Sequence, residues 1–396
     1  VIKKKVLIIS DWVPYPVENG MQLPIAEYVR ILGHSISFDL FLISNDNNFE
    51  NDTDISKCVP YFNLIRKIKS KQKSKFSRML GEIFLIEPFY SEFDFEDFDV
   101  SCYDSVWVSN AKIASLAKKR MFNNCNLLLS THDAIYYAHY ERLKFSVFKN
   151  NIFTMSNIVN LLRLPFIILN ERSYLKKYNS IQVQTNLEKS RLELIGSKDL
   201  SNKIHVIPNG IKHDLFSVIP NLDTNNILYM SHMILGKEKE VIAFLDKIWK
   251  RIMRLNPKLN LFIVGVLPSN FDAKIYSQYD NVHFVGFVKS LKDVFDEKSL
   301  TIIPNYQSSG LINRLYDTIC AGIPFVISEK IAQTHEGIEK LNIGKIACND
   351  EDFIRMIIQM FDDRTLLKAY SSNAKTYAFD LDSWEMSALK IGRLLC

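Results

Sequence analysis

Cysteine is scarce and scattered in this 396-residue chain. Cys58, Cys102, Cys125, Cys320, Cys348 and Cys396 include no C-x-x-C pair and form no cluster with histidine. That excludes a zinc ribbon and a disulfide framework, and it fits a reducing cytoplasm. A long apolar run is missing as well. The greasiest stretch, Ile152 to Leu169, carries Asn157, Asn160, Arg163 and Pro165, so no bilayer span is expected. The basic start at Lys3-Lys4-Lys5 resembles a signal peptide, but the apolar run Val6 to Ile9 is too short for one and reads as a first strand. Charge of one sign is lacking too. With 49 basic and 44 acidic residues the net charge is +5, too little to argue for a nucleic-acid partner. A glycine-rich dinucleotide fingerprint is absent after the first strand, where only Gly20 occurs in the long turn from Ser10; a nicotinamide enzyme is disfavoured. The acidic stretch Phe93 to Asp99 has no strand leading into it, and no metal site is assigned to it.

What remains is an ordinary globular composition, 47% hydrophobic and 23% charged, which excludes disorder and fibrous classes. Short apolar runs alternate with longer amphipathic ones throughout, the pattern of parallel sheets covered by helices. Strands are expected at Val6–Ser10, Ser37–Ile43, Ser105–Ser109, Leu127–Thr131, Ile181–Thr185 and Ile204–Ile207. The pattern restarts with Asn226–Ser231, Leu259–Val264, Val282–Val285, Leu300–Ile303 and Pro324–Ser328. Helices are expected at Lys239–Leu255, Leu291–Glu297, Leu311–Ala321 and Asp350–Phe361, with a last one after Asp382-Ser383-Trp384. The class is α/β with two Rossmann-like domains. They are placed at 1–215, with 379–396 packing back on it, and at 216–378.

Ligands in open α/β sheets gather at the carboxyl ends of the strands, and three segments fall there. Gly20 would let a ligand approach the backbone, unless it is a plain turn glycine. Thr131-His132-Asp133-Ala134 puts a histidine beside a carboxylate just past a buried strand; a structural histidine is the alternative. Ser308-Ser309-Gly310-Leu311-Ile312-Asn313-Arg314-Leu315-Tyr316-Asp317 carries a strand through a small-residue loop into a helix expected to start near Gly310. Such a start suits phosphate. Arg314 and Asp317, at i and i+3, can share a face, a cation for phosphate and a carboxylate for sugar hydroxyls. An exposed ion pair of little worth is the bland reading. The run Arg66 to Arg78 has seven basic residues, no acidic ones, and apolar residues directly after it. It reads as a solvated loop or as a patch for an anionic membrane surface.

Together these residues resemble the GT-B glycosyltransferases of family four, a large retaining group. Lys5 to Ser10 with Pro14-Tyr15-Pro16 and Asn19-Gly20 looks like that family's first strand and loop. Thr131 to Ala134, Val206-Ile207-Pro208-Asn209-Gly210-Ile211, Phe262-Ile263-Val264-Gly265, Asn281 to Val288 and Ser309 to Asp317 match its markers in order. The resemblance implies two domains facing across a cleft, with the C-terminal helix crossing back to the first. It implies a nucleotide-diphosphate sugar as substrate, no cofactor and no metal. A glycan, lipid-linked or protein acceptor is implied, in bacterial surface polysaccharide or glycoconjugate synthesis at the cytoplasmic side of a membrane. Arg314 falls where a lysine touches the donor diphosphate, Asp317 where a glutamate grips the ribose, and His132 where a histidine faces the donor sugar. The resemblance also places Gly265, Leu311, Ile312 and Asn313 along the expected donor site. The pattern departs at Ser309, in place of the first of two glutamates, and at Ser231, in place of a glycine. The usual arginine near Ser231 is absent, and Lys237 or Lys239 stands in its neighbourhood. A catalytically inactive GT-B protein that binds glycan or partners a transferase is the alternative.

Overall fold

The computed structural model describes residues 3–17, 20–44, 56–69, 99–118, 120–122, 124–131, 134–150, 154–196, 198–233, 237–304 and 311–395. The chain divides into two compact units, Val1–Asn209 with Trp384–Cys396, and Gly210–Ser383. The expected border after residue 215 moves to Asn209/Gly210 for a packing reason. Ile211 and Leu215 are buried in the second unit's core, and the Ile211 N–H donates to the Asp382 carbonyl at 3.0 Å.

The first unit is built on seven parallel strands. These are β1 (Lys4–Ser10), β2 (Ile36–Ser44), β3 (Leu64–Lys69), β4 (Ser105–Val108), β5 (Asn126–Ser130), β6 (Ser180–Val183) and β7 (Ile204–Val206). Their order across the sheet is β3-β2-β1-β4-β5-β6-β7. Side chains alternate between faces along a strand, so Leu7 and Ile9 enter one core while Val6 and Ile8 enter the other. Both faces are covered, which is why β1 reads as an unbroken apolar run. β3 was not expected. Its Arg66 and Lys67 are exposed and only Ile68 is buried, so the charged run begins on a sheet edge rather than in a loop. Charge on an edge strand discourages pairing with other chains. The rest of that run lies outside the described residues.

The helix Trp384–Leu394 closes the first unit. Trp384 is buried and meets the Tyr28 ring edge-on at 5.7 Å. The Ser387 hydroxyl donates to the Pro208 carbonyl at 2.9 Å, and the Ser105 hydroxyl to the Leu395 carbonyl at 2.7 Å.

The second unit repeats the plan with six parallel strands. They are β8 (Asn226–Met230), β9 (Asn260–Val264), β10 (Val282–Gly286), β11 (Leu300–Ile303), β12 (Phe325–Ser328) and β13 (Gly344–Ala347), in the order β10-β9-β8-β11-β12-β13. Helical turns run from Glu238 to Leu255 with a π segment at Leu245–Trp249. Further helices are Asn313–Cys320, Asp350–Asp362 and Arg364–Ala378. Asp363 caps the last of these by accepting from Thr365 and Leu366 N–H groups, and Asn349 caps Asp350–Asp362 in the same way through Asp352. In each sheet the winding reverses between two neighbouring strands, β1 and β4 or β8 and β11, and a crevice opens there beyond the strand ends.

Removing the Trp384 side chain leaves a cavity against Tyr28. Trp384→Ala is expected to destabilise the first unit by about 3–5 kcal/mol. Urea unfolding should show its transition at lower denaturant, with that of the second unit unmoved.

Candidate functional site

At the carboxyl end of β8 two backbones touch. Ser231 donates its N–H to the Val264 carbonyl at 2.8 Å, and Gly265 donates to the Gly286 carbonyl at 2.9 Å. Gly265 has φ +149°, and a Cβ on it would lie 2.3 Å from the Ser231 carbonyl oxygen and 2.9 Å from the His232 nitrogen. Only glycine fits. The approach holds the two strand-end loops together and buries Ser231 at the crevice. Beyond it, His232 Nδ1 accepts the Val266 N–H at 3.0 Å, so the neutral ring carries its proton on Nε2.

Arg314 enters the same crevice from the other side. It sits on the first turn of the helix Asn313–Cys320, which follows β11 and Pro304, and its guanidinium donates to the Met230 carbonyl at the end of β8. The helix begins at Asn313, not near Gly310, because Ile312 is extended at φ −108°, ψ 104°. No side chain among the described residues caps that start. Arg314 makes no ion pair within 4 Å among the described residues, although it lies within electrostatic reach of Glu240 and Asp317. Burial pushes its pKa down from the usual range. A half-buried guanidinium whose described hydrogen-bond partner is a neutral carbonyl keeps its charge uncompensated, and an incoming anion would offset that.

Two more groups answer to the same charge. Partial desolvation, and then the like charge of Arg314, hold Lys237 below the ordinary lysine range. His232 is held down by desolvation first and by Lys237 and Arg314 after it. Asp317, one turn beyond Arg314, is raised to about 6 by burial; Lys212 and Arg314 act against the shift and Asp214 adds to it. Its carboxylate accepts no hydrogen bond among the described residues. Both side chains are half-buried, and the Arg314 guanidinium turns to the Met230 carbonyl instead of pairing with Asp317.

Ser231, Lys237, Gly265, Leu311, Ile312, Asn313, Arg314 and Asp317 all fall around the end of the β8–β11 crevice or on the chain leading to its helix. Ser309 and Gly310 lie outside the described residues, as does His132. Gly20 is described and exposed, in the first unit. Sequence reasoning missed His232, the first unit's own crevice, and Glu171. In that crevice Asn110 donates to Asp11 between the ends of β1 and β4. The Glu171 carboxylate accepts from the Ile135 and Tyr136 N–H groups, both at 2.8 Å, and so pins the chain directly after His132-Asp133. Among the described residues no group of three or more His, Cys, Asp and Glu side chains is placed to hold a metal. No helix among them is long and apolar enough to cross a membrane.

Residues 224–363 match the glycosyl transferases group 1 family. The chain has the two-sheet α/β architecture of GT-B proteins, and the matched part of its second unit is similar to the group 1 glycosyltransferases. Its fold is similar over its length to solved structures of low identity. Anabaena HepE in complex with UDP and glucose has a TM-score of 0.64 at 12% identity, covering 99% of each chain. Sucrose-phosphate synthase from Thermosynechococcus elongatus has 0.68 at 16%, covering 99% of this chain and 98% of that one. WaaG, a glycosyltransferase involved in lipopolysaccharide biosynthesis, has 0.63 at 15%, covering 98% and 99%. No curated protein matches the chain by sequence.

An ionised carboxylate is a stronger acceptor for hydroxyls than a neutral carboxyl, and burial raises Asp317 to about 6. Affinity for a nucleotide-sugar, whose phosphodiesters do not titrate here, is expected to fall by up to about tenfold per pH unit below 6. Protonation of His232 acts in the opposite direction, by favouring anions. In the free protein the sign reverses. A raised carboxyl pKa favours the fold at low pH, and that contribution is lost as pH rises through about 6. Calorimetry across this range should show the affinity slope in the wild type and a flatter profile in Asp317→Asn; equal slopes would remove Asp317 from the site.

Proposed function

We propose that this chain is a retaining, metal-independent glycosyltransferase that moves a sugar from a nucleotide-diphosphate sugar to a glycan, lipid-linked or protein acceptor. The observation that carries the reading is Arg314, a half-buried cation at a strand-to-helix turn with a backbone carbonyl as its hydrogen-bond partner. In the proposed mechanism Arg314 and Lys237 neutralise charge on the leaving diphosphate, together with backbone amides of the segment from Ser309 through Gly310, Leu311 and Ile312 to Asn313. Ser231 and Gly265 present backbone close to the nucleotide, and Asp317 accepts its ribose hydroxyls. His132 orients the sugar and stabilises the cation that develops at the anomeric carbon. Gly20 opens its loop to the sugar side. The attack is on the face the diphosphate leaves, so configuration is retained. The nucleotide-sugar is the substrate and no further cofactor takes part. UDP in the HepE complex makes uridine the first base to try.

The first unit is assigned the acceptor and the second the donor. Exposed Arg66 and Lys67 begin the basic run that would meet an anionic membrane surface, at the cytoplasmic face where bacterial surface polysaccharide is assembled. Nucleic acid is not a partner. A second reading, a GT-B protein that binds glycan or supports a transferase without turning over donor, is favoured by Ser309 and Ser231, which replace residues the family uses. Hydrolysis of a nucleotide-sugar without acceptor separates the two.

A thermal-shift panel of nucleotide-sugars tests the substrate class, since a ligand at ten times its Kd stabilises by roughly 1.4 kcal/mol. With the ligand found, Arg314→Ala should weaken the nucleoside diphosphate by about 1.5–3 kcal/mol and leave the nucleoside nearly unchanged. Equal losses for both would remove Arg314 from the diphosphate site. Transfer should survive EDTA; activity that vanishes in EDTA and returns with Mn²⁺ contradicts the metal-free mechanism.

A further inference from the structure

The His232 ring is clamped at the end of β8. The flanking Ser231 and Met233 N–H groups donate to the Val264 and Val266 carbonyls, both at 2.8 Å. Nδ1 accepts the Val266 N–H at 3.0 Å, so ring and backbone are tied to the same residue. A protonated ring would turn an N–H toward that N–H, so becoming cationic means giving the bond up. The neighbours act in the same direction. Desolvation first, then the charges of Lys237 and Arg314, lower the His232 pKa. Of the acidic groups nearby, Glu240 faces Lys237 and Arg314, and Asp317 answers to Lys212, Asp214 and Arg314. His232 is therefore a half-buried neutral ring at neutral pH, with its proton on Nε2 and no partner for it among the described residues.

We propose that His232 is a specificity-determining residue, a neutral hydrogen-bond donor through which the crevice holds a nucleotide-sugar without holding the nucleoside diphosphate more tightly. The inference rests on the donor reading above and concerns what happens after transfer. In a nucleotide-sugar both phosphates are diesters, and the diphosphate carries two negative charges. On transfer the bond from the anomeric carbon to the phosphate oxygen breaks, with its electron pair left on that oxygen. The sugar passes to the acceptor hydroxyl oxygen, whose proton goes to solvent. The departing nucleoside diphosphate then ends in a monoester, which keeps a third charge above its second pKa of about 6. Against these charges the end of β8 sets two cations, Arg314 and Lys237, and one neutral donor, the His232 Nε2–H. Residues 234–236 and 305–310, outside the described ones, contain no lysine, arginine or histidine. Two cations match the nucleotide-sugar, and the third charge of the product is left uncompensated. A permanent cation at residue 232 would offset it and retain the product, whose release limits turnover in many enzymes.

The test is calorimetry of the full chain at pH 8, where the product carries its third charge, with UDP and UDP-glucose or the matching pair of the base that the thermal-shift panel selects. The readout is the ratio of the two Kd values. His232→Arg should tighten the nucleoside diphosphate about tenfold more than the nucleotide-sugar. His232→Gln, which keeps a neutral donor, should leave the ratio as in the wild type. His232→Ala should weaken both ligands, by about tenfold each, with the ratio unchanged. If the arginine variant unfolds at lower urea than the wild type, the alanine and glutamine variants decide, since a role confined to holding the loop would not be rescued by a neutral donor. The inference is overturned if the arginine variant folds and its ratio stays at the wild-type value. It is also overturned if the alanine variant binds UDP-glucose as well as the wild type, or if glutamine restores nothing that alanine loses. In those cases a wild type that binds the pair, and loses the nucleoside diphosphate on Arg314→Ala, leaves the donor reading standing. If no pair binds the wild type, the donor reading fails and this inference fails with it.

Discussion

The second unit is organised around a cation that the fold itself does not neutralise. Arg314 is carried inward by the helix after β11 and meets the Met230 carbonyl at the end of β8. A neutral carbonyl supports a guanidinium without cancelling its charge, and half-burial removes part of the water that would otherwise do so. Lys237 and His232 feel the result as lowered pKa values, each by burial first and then by like charge. Three basic groups thus converge on one strand end, with Asp317 as the nearby carboxyl, itself shifted up to about 6. Such a site is poised for an anion.

The crevice depends equally on an absence. The Ser231 carbonyl stands where a Cβ on residue 265 would be, so the loops after β8 and β9 close up only over a glycine. That contact sets where Ser231 and His232 lie, and therefore how much room remains beside Arg314. Both units use the same parallel winding, so each has such a crevice where its strand order reverses. In the first it contains Asp11 and Asn110, a neutral amide bonded to a carboxylate rather than a cluster of cations. The difference in charge between the two crevices is the physical basis for assigning the phosphates to the second unit.

Much of this was legible in the amino-acid sequence because buried parallel strands announce themselves. β1, β8 and β11 are near-continuous apolar runs, and the sequence places them within a residue or two. β3 and β13 escaped, since Leu64–Lys69 is half basic without a clean alternation and Gly344–Ala347 is short and partly polar. The helix start near Gly310 was misplaced because a glycine suggests a turn without saying which residue after it first becomes helical; extended Ile312 delays the start to Asn313. Arg314 and Asp317 were readable from their spacing and from a family resemblance. His232 and Glu171 were not. His232 matters through Val266 and Glu171 through Ile135 and Tyr136, partners brought near by the fold rather than by the chain.

The most direct test of the central claim is a structure of the chain with a bound nucleoside diphosphate. The account predicts diphosphate oxygens within hydrogen-bond distance of the Arg314 guanidinium and the ribose hydroxyls on Asp317, with the nucleotide lying along Gly265. A nucleotide bound elsewhere, with Arg314 still engaged only with the Met230 carbonyl, would contradict it.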